Sequence, residues 1–250
     1  MRKKHRKQIL AKPIPDSWNQ IVRQNFPLYK KLPPDLQKEL FEGIQILLAE
    51  KRFEGCGGLE LTEEIRVTVA AQAAMLLLNK KTDYYPGLYS IVIYPTAFFD
   101  RQTRFEGGLA VEGDSVRLGE SHTAGIIVLS WDDSMHGARD PKDGQNVVMH
   151  EFAHQLDTED GIADGCPVHT IASRYLSWAR VLGEEYEKLQ EKAKKRKKSV
   201  MDKYGATHPA EFFAVATECF FEKPKQMKKK HPELYEELKT YFQMDPVDWK

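Results

Sequence analysis

The sequence is poor in cysteine. Its 250 residues hold three, Cys56, Cys166 and Cys219, odd in number and far apart. That spacing excludes a disulfide framework and points to a reducing compartment, so a cytoplasmic location is expected. It also lacks an excess charge of either sign, because 37 basic residues balance 37 acidic ones. A strongly basic nucleic-acid binder is thereby excluded, and no direct nucleic-acid partner is expected. No apolar run approaches the roughly 18 residues that cross a bilayer, so no membrane partner is expected either. The basic start, MRKKHRKQILAKPIP, lacks the apolar core of a secretory signal. No internal repeat is visible.

What remains is a globular composition, 41% hydrophobic and 30% charged, at a length of one large or two small domains. Residues 1–12 read as a flexible basic tail. Residues 13–85 read as a helical N-terminal part of the same domain. A short helix over 17–26 would turn Trp18, Ile21 and Val22 inward. Pro33-Pro34-Asp35 opens a second helix with Leu36, Leu40 and Ile44 on one face. The glycine-rich stretch 53–61 reads as a loop, and Thr62 as the N-cap of a third helix ending near Asn79. Residues 86–250 change character and carry the chemistry. Strands are expected over 89–94 and 125–131, with weaker ones between, including 116–118. A polar loop over 132–144 follows. Helices are expected over 174–190, 211–221 and 232–242, and the charge run 191–198 reads as a solvated helix end.

The most informative stretch is 146–157, NVVMHEFAHQLD, which contains His150-Glu151-Phe152-Ala153-His154, an H-E-x-x-H pattern. Positions i and i+4 share a helix face, so both imidazoles can grip one metal ion. Glu151 stands beside that face, where a general base for a metal-activated water belongs. Asp157, one turn after His154, could orient a ligand histidine. A catalytic zinc wants a third protein ligand. Asp160 has the spacing of the extended HExxHxxGxxH motif, but that motif needs a glycine where this chain has Asp157. Glu211 is the better option, because Thr207-His208-Pro209 signals a helix start and puts Glu211 in its first turn. By itself an acidic residue there would only complement the helix dipole. Glu218 lies two turns on, roughly 10 Å by helix rise, too far to share the ion and at most a support for a ligand. His122, His136, His169 and His208 have no ligand-like spacing.

HEFAHQLD together with YGATHPAEFFAVATECFF resembles the Mlc titration factor A family of zinc peptidases across most of the chain. In its two active-site segments the chain is more distantly similar to the anthrax lethal factor catalytic domain. The resemblance implies metal ligands at His150, His154 and Glu211, the base at Glu151, and an oxyanion-supporting tyrosine at Tyr204. Val215 departs from lethal factor, which has a second glutamate there. The expectation is an α+β, zincin-like metallopeptidase with a helical N-terminal part, a small mixed sheet and an H-E-x-x-H helix. It would hold one Zn2+ per chain and cleave a peptide or protein substrate along the 125–131 strand as the binding edge. The resemblance also implies a transcriptional repressor as a partner, so the competing class is a binding protein. Glu151 favours the enzyme, since a structural metal site has no use for a base beside its ligands.

Overall fold

The structure, a computed structural model, describes residues 2–80, 83–96, 98–106, 109–117, 119–122, 125–169 and 173–249, with the backbone alone between 98 and 122. The helices are α1 (Arg2–Leu10), α2 (Asp16–Asn25), α3 (Pro34–Glu50), α4 (Glu63–Met75), α5 (Trp131–Arg139), α6 (Val147–Asp157), α7 (Arg174–Lys194), α8 (Pro209–Glu222), α9 (Pro224–Lys230) and α10 (Pro232–Phe242). The strands are β1 (Arg52–Gly55), β2 (Ser90–Tyr94), β3 (Phe98–Glu106), β4 (Leu109–Arg117), β5 (Gly119–His122) and β6 (Ile126–Ser130).

The architecture is α+β, with one four-stranded mixed sheet in the order β1-β2-β6-β5. The first three strands are parallel and β5 runs antiparallel to β6. β3 and β4 form a separate antiparallel ribbon. Period-two alternation buries Ile91 and Ile93 on β2 and Ile127 and Leu129 on β6, and the register pairs Ile91 with Ile127 and Ile93 with Leu129. Helix α4 makes the crossover between parallel β1 and β2. It starts where Thr62 caps the Ile65 N–H, and Val67, Val69, Ala70, Ala73 and Ala74 leave no exposed apolar face. One apolar core runs from Val22 to Met244, so the N-terminal helices and the later segments share it.

Several expectations are corrected. Residues expected in a basic tail form α1, because Arg6 makes a two-pronged ion pair with Glu50 and also binds Asp83, while Ile9 is buried. The glycine-rich loop after α3 begins as strand β1, stabilised by ladder bonds to β2 that its local composition does not announce. The polar stretch after β6 is α5, capped by Ser130 and carrying Asp132 and Asp133 in its first turn. The strand expected over 125–131 exists as β6, but it lies inside the sheet between β2 and β5 and is not an edge. The outer strand on that side is β5, which packs against α6. Val116 falls in β4, and Leu118 lies outside the described residues.

Candidate active site

Helix α6 forms where the sequence places it, but its cap is Asn146, whose side-chain oxygen accepts from the Met149 N–H at 2.9 Å. Asp143 accepts from the Gln145 N–H just ahead. Val148, Met149, Phe152, Ala153 and Leu156 are buried, and Phe152 packs edge-on against Tyr85. These contacts fix the helix rotation and turn His150 and His154 to the remaining face, where their side chains are 13% and 14% exposed. Their ring centroids stand 4.9 Å apart.

Helix α8 lies against α6. Its start is capped by His208, whose Nδ1 accepts from the Ala210 N–H, and Pro209 occupies the first turn. Phe212, Phe213, Ala216 and Phe220 are buried and fix which way Glu211 points. Glu211 Oε2 lies 2.9 Å from His150 Nε2 and 3.4 Å from His154 Nε2. One ligand atom from each of the three residues lies within 4.8 Å of the others. Ligands at about 2.0–2.1 Å from a tetrahedral zinc stand roughly 3.3 Å from one another, so this donor set fits such an ion. Two imidazole nitrogens and one carboxylate oxygen also suit zinc chemically.

Glu218 supports the cluster from behind. Its Oε2 lies 3.1 Å from His150 Nδ1, and its Oε1 accepts from the Asn146 N–H at 2.7 Å. The α6 N-terminus and a potential ligand ring are thus tied to one carboxylate. Burial opposes a charge on His150, yet Glu218 and Glu211 outweigh it and raise its pKa well above the ordinary value. Burial likewise opposes the charge on Glu211, but bonds to the two histidines hold its pKa below the usual carboxylate range. Glu151 is 5% exposed, beside His150, and its negative charge also favours the imidazolium.

Tyr204 sits on the short 3-10 turn Lys203–Ala206, which Asp202 caps. Its ring centroid is 6.1 Å from that of His150, and the residue is 56% exposed. The turn rests on α8 at Gly205, where an added Cβ would come 3.2 Å from the side chain of Val215. Val215, the departure from lethal factor, therefore packs beneath the turn that carries Tyr204.

The remaining candidates lie elsewhere. Asp160 accepts from the Ile162 N–H in its own turn and is exposed. His208 is the helix cap, His136 pairs with Asp143 at 3.3 Å, and His122 belongs to β5. His169 sits among Tyr175, Trp178 and Tyr241, where burial lowers its pKa to about 4. Asp157 does not bond an imidazole as the sequence suggested; its Oδ2 accepts from the Gly165 N–H at 2.9 Å. Sequence reasoning missed Asn146, though an asparagine just before an apolar helical run is a cap signal.

Comparison with known proteins gives the chain's family. The profile of the glucose-regulated metallo-peptidase M90 family matches residues 1–243. An uncharacterized protein of Synechocystis sp. is 40% identical over 243 residues, covering 96% of this chain and 88% of the relative. Mlc titration factor A of Yersinia pestis and that of Yersinia pseudotuberculosis are each 31% identical over 237 residues, covering 92% of this chain and 85% of theirs. With a family match over nearly its whole length, and with the His150, His154 and Glu211 donor set on its packed helices, the chain belongs to the glucose-regulated metallo-peptidase M90 family.

Proposed function

We propose that this chain is a zinc-dependent peptidase with a zincin-like catalytic core. The observation that carries the reading is the convergence of His150, His154 and Glu211 on one point, with buried Glu151 alongside. These three residues would hold one Zn2+, which when bound supplies Lewis acidity toward water and the scissile carbonyl. Glu151 accepts the proton of the attacking water and delivers it to the leaving amine. The Tyr204 hydroxyl donates to the oxyanion as negative charge develops on it. Glu218 holds the His150 ring through Nδ1, which leaves Nε2 facing the metal position. The substrate is a peptide or protein segment in extended form, and the outer strand β5 beside α6 is the nearest sheet edge for it.

Glu151→Gln tests this reading. The variant keeps its fold and one zinc per chain by metal analysis, and loses nearly all cleavage of a peptide library, because a carboxamide cannot take up the water's proton. Comparable turnover in the variant, or full zinc retention in His150→Ala, would refute it.

A second role is supported by the relatives named Mlc titration factor A. In this reading the chain also binds a transcriptional repressor protein. Glu151→Gln separates the two activities, since binding of a purified repressor survives the substitution while hydrolysis does not. No helix among the described residues is long and apolar enough to cross a membrane.

A further inference from the structure

Asp157 closes α6 one turn past His154 and is fully buried. Oδ2 accepts from the Gly165 N–H, across the loop that follows the helix. From the other side, the indole Nε1 of buried Trp178 on α7 donates to the Gly165 carbonyl at 3.0 Å. Gly165 is therefore held on both its polar groups by two separate helices. Its φ is +78°, a conformation that favours glycine, and a Cβ there would lie 2.5 Å from the Pro209 carbonyl oxygen and 2.9 Å from its carbon. The loop thus meets the first turn of α8 backbone against backbone, where nothing can rotate aside. Glu211 is two residues further on. The Trp178 ring also packs against Phe213, with centroids 5.8 Å apart, so the same side chain braces α8.

We propose that Gly165, gripped by Asp157 and Trp178, is the stop that sets the first turn of α8 and so positions Glu211 against His150 and His154. Asp157 and Trp178 are positioning residues for the metal site, acting through Gly165. The Asp157 carboxylate serves as a hydrogen-bond acceptor, and its charge is not what the site uses. This inference rests on the reading that those three residues hold zinc.

The test uses the full chain and three measurements: zinc affinity by competition with a chromogenic chelator, the visible spectrum of the Co2+-loaded protein, and the unfolding midpoint without metal. Glu211→Ala serves as the reference for a lost ligand. Gly165→Ala and Asp157→Ala are expected to weaken zinc binding by about 10- to 100-fold, the usual cost of losing a support behind a ligand. Their Co2+ spectra should move toward that of Glu211→Ala. Asp157→Asn should stay near wild type, because the amide oxygen can accept the same N–H. Trp178→Phe keeps a ring against Phe213 but loses one bond to Gly165, so it should show a smaller loss of zinc affinity. It decides the question if Gly165→Ala fails to fold. A Gly165→Ala or Trp178→Phe protein with a lower metal-free midpoint but wild-type zinc affinity and Co2+ spectrum would overturn the proposal. So would Asp157→Asn losing as much affinity as Asp157→Ala, since that would mean the charge acts directly on His154. If Glu211→Ala itself keeps wild-type affinity, the zinc reading fails first and takes this inference with it.

Discussion

At the residue scale, the site depends on side chains that no spacing rule connects. Glu218 is the clearest. Its two oxygens join the Nδ1 of a potential ligand to the backbone that starts α6. Removing it should free the His150 ring and leave the Asn146 N–H without its acceptor in a buried place. We expect Glu218→Ala to weaken zinc binding by about 10- to 100-fold, with Glu218→Gln closer to wild type because it retains an acceptor; chelator competition measures both. Tyr204 predicts a different signature. A tyrosine whose ring lies beside His150 and whose hydroxyl bonded the oxyanion would help only in the transition state. Tyr204→Phe should therefore lower kcat by roughly ten- to a thousand-fold with little change in KM. Steady-state kinetics on one peptide decides it, and a raised KM at normal kcat would make Tyr204 a ground-state binding residue.

At the element scale, the motif helix and α8 were legible because each has a start signal and a buried face. Val148, Phe152 and Leu156 on one helix and Phe212, Ala216 and Phe220 on the other repeat at helical spacing. β1 and α1 were not legible. The first is a strand because β2 offers it a parallel partner, and the second is a helix on the surface because Arg6 finds two acids distant in sequence. The Arg6–Glu50 pair is two-pronged and both side chains are mostly covered, so its contribution belongs near the top of the range for such pairs, about 1 kcal/mol. Arg6→Ala should lower stability by about that amount and expose the α1 segment to limited proteolysis, leaving turnover unchanged. Cleavage at the wild-type rate would show that α1 does not depend on this anchor.

At the scale of the whole molecule, long-range pairs between helices tie the C-terminal half together. Buried His231, just before α10, bonds Glu185 of α7, which Lys188 also contacts. Burial opposes the Glu185 charge, but the bonds from His231 and Lys188 prevail and hold its pKa down to about 2. In the unfolded chain this carboxylate takes up its proton near 4.5, so the native state resists protonation that the unfolded state accepts. The stabilisation is therefore complete above about pH 4.5 and is lost as the pH falls toward about 2. Glu185→Gln should unfold at a lower temperature than wild type at pH 7, and the gap should close on acidification. A gap constant across that range would remove Glu185 from the account of acid stability.

The sequence by itself determined the local chemistry. An i, i+4 histidine pair with a glutamate between them shares a helix face whatever surrounds it, and a proline after a capping residue starts a helix that puts Glu211 in its first turn. It also determined which stretches alternate at strand period and which repeat at helix period. Only the tertiary structure decided how segments remote in sequence meet. It brought Glu211 Oε2 within 2.9 Å of His150 Nε2, set Glu218 behind the ring, and moved the 125–131 strand from an edge to the interior of the sheet. It also turned Asp157 from a histidine to a glycine backbone. The physical reason is the same in each case: a hydrogen-bond partner or a sheet neighbour is chosen by packing over the whole core, and no window of a few residues contains that information.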